Sequence, residues 1–361
     1  MRIERAEVIP YALRFREPYV TARGRIDRRE MVLLRLTADD GTAGLGEAVP
    51  LALRGDAPLG EVAAALDRAG SMLSGSDVEP DLRWVGSTLV ALEAGGPLHP
   101  AARAGLEVAL ADLAAKRAQV PLWRFLSGER AHPVAVNATL AAGRPETVAT
   151  HAAERVANGF RTLKLKLGVA RELDLAVVAA VRDACGESVR IRVDANAAWS
   201  IDEATEMLDA LAPLGLELVE QPVEGLEAMA ELRRRTRARL AADESVTSRE
   251  TADRALELGA CEAVTVKLSK VGGLTPALGI ARRIPVYLSS ALDGPVGIAA
   301  AAHVAALNPG PFAHGLATLE LFAESIGEGP DIVDGTIVLG DEPGIGVSVD
   351  ESSLDSVRLA L

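Results

Sequence analysis

Three acidic residues stand where a charge is costly. Asp194 closes the run IRVD, Glu220 closes LVE and Asp243 closes LAAD. A carboxylate at the end of a buried strand is tolerated when it is paired or bound to a cation. Each acid could simply pair with a neighbouring Lys or Arg, but three on successive strands are satisfied together by one divalent ion. All-oxygen ligation with positions left for water or substrate suits magnesium, with manganese as a substitute, far better than zinc or copper. Lys164 and Lys166, in TLKLKLG, are two apart and share one face of a strand. In such a pair one ammonium lowers the pKa of the other, freeing an amine to act as a base near neutral pH. Lys267, in VTVKLSKVGG, ends a later strand. Across a closed sheet, a substrate carbon would meet a lysine on each side. A carboxylate oxygen on the metal would then stabilise the enediolate formed by loss of the α-proton.

These residues need strands that deliver them to one place. From Pro133 the pattern is one apolar strand and one amphipathic helix, repeated. The strand candidates are 134–139, 162–167, 190–194, 216–221, 240–243, 263–268, 284–289 and 312–318. An open doubly wound sheet would give the same alternation. Lys164, Lys166, Asp194, Glu220, Asp243, Lys267 and Ser289 all fall at or near strand C-termini, however, and a ring of strands brings such residues together. The reading is therefore α/β: a (β/α)8 barrel over 126–325 with an N-terminal α+β capping domain over 1–125. That first part reads as strands at Ile3–Pro10, Met31–Thr37 and Gly41–Glu47, then helices at Leu59–Leu73 and Pro100–Arg117. Residues 326–361, with strand-like IVDGTIVL, are expected to pack back on the capping domain.

A length of 361 residues fits a barrel plus a smaller domain. The formal net charge of -13 opposes a nucleic-acid partner, and the arginine-rich stretch 233–239 reads as a solvated helix face. It does not oppose a small carboxylate substrate, because a buried metal and lysines set the local potential. Cys185 and Cys261 show no metal or disulfide spacing, and the N-terminus lacks a signal-peptide layout. No apolar stretch reaches membrane-spanning length. These features predict a reduced cytoplasmic protein without a membrane partner, and a homo-oligomer is left open.

The order Lys164-Leu-Lys166, Asp194-Ala-Asn196, Glu220-Gln221-Pro222, Asp243-Glu244-Ser245, then Lys267 with Gly272-Gly273, resembles the muconate-lactonizing subgroup of the enolase superfamily. The resemblance spans nearly the whole chain. It implies a magnesium enzyme in which Asp194, Glu220 and Asp243 hold the metal, Lys166 and Lys267 are the acid/base pair, and Lys164 assists Lys166. Asn196 and Glu244 would support the site. Within the subgroup, Ser289-Ser290 and HGLATLELFAESI are similar to o-succinylbenzoate synthases, and Arg192 resembles an arginine those enzymes place near the site. The implied reaction is dehydration to o-succinylbenzoate, a step of menaquinone biosynthesis. Dipeptide epimerases, N-acylamino acid racemases and muconate cycloisomerases would use the same residues.

Arg14, Arg16, Arg23 and Arg25 are read as capping-loop residues that could meet a second substrate carboxylate. The five histidines share no ligand spacing and are assigned no catalytic role. A Schiff-base aldolase would also want a strand-end lysine but would not need three strand-end acids. A barrel that binds a carboxylate without turnover is the non-enzymatic alternative.

Overall fold

In the computed structural model, which describes residues 1–21, 24–51, 55–127 and 130–360, the chain opens with an antiparallel meander. β1 (Ile3–Thr21) pairs with β2 (Gly24–Ala38), and β2 with β3 (Ala43–Ala48). β1 extends far beyond Pro10 because its register slips between Arg14 and Tyr19 and then resumes, as a bulge permits. Arg14, Arg16 and Arg25 are therefore strand residues, not loop residues. Arg23 lies outside the described residues.

α1 (Leu59–Leu73) and α3 (Pro100–Arg117) pack on this meander, and α2 (Leu82–Leu92) packs on α3. Pro100 at the start of α3 has a φ suited to a helix and no N–H to satisfy. α3 lies directly on the β3 backbone. A Cβ at Gly46 would stand 1.9 Å from the Gly105 carbonyl oxygen, and one at Gly44 2.4 Å from that of Ala109. The GLGE text after Ala43 is thus a helix-docking surface. α4 (Leu122–Ser127) leads to the second part of the chain.

The expected first strand, 134–139, is split. β4 (Val134–Ala135) pairs antiparallel with a late hairpin, and β5 (Ala138–Leu140) opens the parallel sheet. The chain then alternates: α5 (Pro145–Ala157), β6 (Thr162–Lys166), α6 (Arg171–Cys185), β7 (Arg190–Asp194), α7 (Ile201–Leu211), β8 (Leu216–Glu220) and α8 (Leu226–Arg235). It continues with β9 (Leu240–Ala242), α9 (Arg249–Leu258), β10 (Ala263–Val266), α10 (Leu268–Val271), α11 (Leu274–Ala281), β11 (Val286–Leu288) and α12 (Pro295–Ala306). The seven parallel strands β5 to β11 neighbour one another in sequence order and form a curled sheet.

An eighth ladder over 312–318 does not form, which corrects the eight-strand reading. Single parallel bridges join His314 to Val136 and Gly315 to Ser289. The physical reason is local: Leu288 N–H donates to His314 Nδ1 at 2.9 Å, a side-chain nitrogen where a ladder would offer a carbonyl.

The C-terminal segment divides its contacts. β12 (Ile332–Val333) and β13 (Thr336–Ile337) extend β4, while α13 (Glu351–Val357) packs on β1 and Leu359 N–H donates to Pro10 O at 2.8 Å. Among the described residues no helix is long and apolar enough to cross a membrane.

Candidate active site

Register aligns the key residues. Lys166 stands beside Asp194, and Asp194 beside Glu220, on three adjacent parallel strands. Asp243 follows β9, the next strand, and Lys267 follows β10. One oxygen from each of Asp194, Glu220 and Asp243 lies within 4.8 Å of the others, and all three side chains are buried.

The lysines close over these acids. Lys164 Nζ lies 2.8 Å from Asp194 Oδ2 and 2.6 Å from Glu220 Oε2. Lys166 Nζ donates to Asp194 Oδ2 at 2.5 Å and to Asn196 Oδ1 at 3.1 Å. Lys267 pairs with Asp243 Oδ2. Burial is the largest single influence on Lys164 and Lys166 and lowers both, but Asp194 and Glu220 acting together more than offset it, so both are raised above the ordinary lysine range. Lys164 does depress Lys166, but the carboxylates around the pair act in the opposite direction and the net shift is upward. Burial raises Asp194, and Lys164 and Lys166 then bring it well below the carboxylate range. Glu220 is raised, by burial and then by Asp194.

Whether the acids suit a cation is decided by their atoms. The donor set is all carboxylate oxygen, and Glu220 Oε1 is buried without a hydrogen-bond partner. A buried anionic oxygen without a donor is costly, and a hard divalent ion such as magnesium is the partner its chemistry fits. Asp194, Glu220 and Asp243 are therefore the residues able to hold it.

The strand ends are shaped for this task. Gln221, at φ 37°, turns the chain after Glu220 and threads its amide between neighbouring loops. Its Oε1 accepts from Asp243 N at 2.8 Å and Ser245 N at 3.2 Å, while Nε2 donates to Ser245 Oγ at 2.7 Å. The glutamine of EQP thus fixes the DES segment. Asn196 N–H donates to Asp194 Oδ1 at 2.9 Å, and its side-chain amide donates to Glu244 Oε1 at 3.0 Å.

A cavity lies above. Its floor holds Lys164, Lys166, Asn196 and Lys267; Thr139, Ser289, Ser290 and Thr318 line its sides, and Tyr19, Thr21, Ile26 and Leu51 of the N-terminal part line it too. Ser290 Oγ also accepts from Asp293 N at 2.7 Å. Arg192, expected near the site, does not line the cavity. It shares a face with Asp194 but sits one step deeper, paired with Glu217. Nor do Arg14, Arg16 and Arg25 line it: they bind Glu324, the Glu320 carbonyl and Asp27. Two residues at the site had gone unread. Lys270 donates to Asp243 Oδ1 at 2.8 Å, and Tyr287 donates to Glu220 Oε2 at 2.7 Å. Lys270 was discoverable, since it lies one helical turn from Lys267.

Residues 4–127 match the N-terminal domain model of mandelate racemase and muconate lactonizing enzyme, and 147–353 match the enolase C-terminal domain-like model. The D-Ala-D/L-Ala epimerase of Cytophaga hutchinsonii is 30% identical over 84% of this chain and 84% of its own. The o-succinylbenzoate synthase of Thermobifida fusca is 40% identical over 55% of this chain and 63% of its own. A dipeptide epimerase from Enterococcus faecalis, solved with Mg and L-Leu-L-Tyr, is 28% identical, with a TM-score of 0.90 over 96% of this chain and 100% of that one. Two family models that together span most of the chain, and a fold shared almost end to end, establish that it is an enzyme belonging to the enolase superfamily.

Proposed function

We propose that this protein removes the proton next to a substrate carboxylate and eliminates water, giving o-succinylbenzoate. The observation that carries the reaction type is the pairing of Lys166 and Lys267 with two different carboxylates, Asp194 and Asp243, at the floor of one cavity. A divalent ion held by Asp194, Glu220 and Asp243 would supply positive charge at the substrate carboxylate and make the neighbouring proton more acidic. Lys166 takes that proton once Asp194 no longer holds its ammonium, and returns it to the departing hydroxyl. Lys267, as a cation, faces the charge that develops in the substrate. Lys164 balances charge beneath Lys166, and Asn196 orients the Lys166 amine through its 3.1 Å contact.

The cavity walls favour a substrate without an ammonium group. Among the described lining residues there is no aspartate or glutamate; the polar ones are lysine, asparagine, serine, threonine and tyrosine. A dipeptide would bring its own ammonium into this positive space unpaired. The 40% identity to the Thermobifida fusca synthase over the shared region supports the same choice. The epimerase reading is favoured by the Cytophaga hutchinsonii relative, whose match covers more of the chain; there Lys166 and Lys267 would act as base and acid on opposite faces.

Proton NMR in D2O with magnesium separates the two. Aromatic product from the cyclohexadiene precursor of o-succinylbenzoate, lost with EDTA and in Lys166→Ala, is the expected result. Exchange of an α-proton in dipeptides or N-succinylamino acids without aromatic product would replace the synthase with an epimerase or racemase.

A further inference from the structure

Beneath the three carboxylates, the interior of the sheet holds an arrangement that the acid–base chemistry does not use. The Arg192 guanidinium lies 4.9 Å from the centre of the Tyr287 ring and 5.5 Å from that of Phe312. Its Nε pairs with Glu217 and a terminal nitrogen donates to Ala313 O at 2.7 Å, so the guanidinium is held by its nitrogens while its central carbon sits over the Tyr287 ring. Tyr287 itself has no solvent exposure. Its hydroxyl donates upward to Glu220 Oε2 at 2.7 Å, and the same oxygen accepts from Lys164 at 2.6 Å. Both donors therefore converge on one oxygen of Glu220, and Oε1 is left buried without a partner.

We infer that Tyr287 is a positioning residue for the cation site: it turns the Glu220 carboxylate so that Oε1 is the atom presented to the ion, and Arg192 holds the Tyr287 ring for that purpose. The inference rests on reading Asp194, Glu220 and Asp243 as a cation site. Lys164 does not suffice for the task. It divides its ammonium between Glu220 and Asp194, at 2.6 and 2.8 Å, on a flexible four-carbon stem. The phenol is a rigid arm with a single acceptor, and such outer contacts commonly set the geometry and affinity of a metal ligand. Arg192, which the synthase resemblance sets near the site, thus acts from below and through Tyr287.

The test is titration of Mn2+ into metal-free wild type, Tyr287→Phe and Arg192→Lys, with free Mn2+ read by electron paramagnetic resonance. Calorimetric melting of the metal-free proteins accompanies it. Tyr287→Phe removes one oxygen and is expected to raise the Kd for Mn2+ about 10-fold or more, with the metal-free melting temperature unchanged. Arg192→Lys keeps a charge against Glu217 but loses the flat face on the ring, and should weaken Mn2+ in the same direction by a smaller factor. It answers the question if the Phe variant does not fold. Variants that bind Mn2+ as tightly as wild type overturn the inference while leaving the cation site standing, and so does a lowered melting temperature with an unchanged Kd. A wild type that binds no Mn2+ removes the cation site itself, and the inference with it.

Discussion

Glu220→Gln should leave the metal-free protein as stable as wild type, or slightly more so, yet remove most of the stabilisation that magnesium confers. The carboxylate is buried, and burial and Asp194 both work against its charge. Neutralising it relieves that repulsion, and an amide oxygen at the Oε2 position would still accept from Lys164 and Tyr287. The amide nitrogen would then occupy the place of Oε1, as a donor that cannot ligate a cation. For wild type at magnesium of about 100 times Kd, linkage adds about 2.7 kcal/mol. Unfolding entropy of about 2.1 cal/mol/K per residue, over 361 residues, is about 0.76 kcal/mol/K, so Tm should rise by about 3–4 °C. If losing a charged ligand weakens binding about 100-fold, the same magnesium leaves about 0.4 kcal/mol, or about half a degree. Differential scanning calorimetry of both proteins, with and without magnesium, reads all four values. Equal magnesium shifts in the two proteins would refute the reasoning, as would a metal-free variant several degrees less stable.

Acid should destabilise the fold through two imidazoles. Burial lowers His303 and His314 to about 4 from 6.5, so the unfolded chain takes up the proton first; their contribution is complete above 6.5 and is lost as pH falls through 4. Each is worth about 3 kcal/mol, and replacing either with an uncharged residue should remove that part of the change in urea midpoint between pH 7 and pH 4. Glu47 has the opposite sign. Burial pushes it up to about 7 from 4.5, so its contribution is complete below 4.5 and lost as pH rises through 7; Glu47→Gln should flatten that part of a stability–pH curve. Gly46→Ala should cost about 1–3 kcal/mol or more, because its methyl meets the backbone of α3 and not a yielding side chain; an unchanged urea midpoint would contradict this packing.

The catalytic floor was legible because parity on a strand is simple. Residues two apart share a face, so Lys164 with Lys166, and strand-ending Asp194 and Glu220, announce themselves. Helices were legible for a similar reason, and α1 and α3 run over the residues their periodicity indicated. Parity reveals face but not depth: it puts Arg192 on the face of Asp194 without showing that it lies beneath the acids. The full length of β1 escaped because a bulge breaks its alternation. An eighth ladder was expected from apolar text at 312–318, where the His314 side chain takes an N–H that a ladder would have used. Tyr287 could not be found at all, since an interior tyrosine on a short strand reads as core until its hydroxyl is seen to meet Glu220.

The N-terminal part cannot be treated as a lid laid on a finished site, because α3 belongs to both. On one side Asp112 accepts from Leu45 N and Ile345 N, each at 2.8 Å, tying α3 to β3 and to the C-terminal segment. On another, Arg103 donates to Gly272 O and Glu107 accepts from Thr275 N at 3.1 Å. Gly273, at φ 122°, comes so close that a Cβ there would lie 2.0 Å from Glu107 Oε2. Those contacts seize the chain within a few residues of Lys267. The helix that packs on β3 and β2 therefore also holds the segment on which the second lysine is mounted. The Gly272-Gly273 pair of the sequence motif serves this junction, not the substrate: it lets a buried acid of one part of the chain clasp the backbone of the other. The N-terminal meander and the Lys267 segment are in this way joined through one helix, so a change in α3 reaches both.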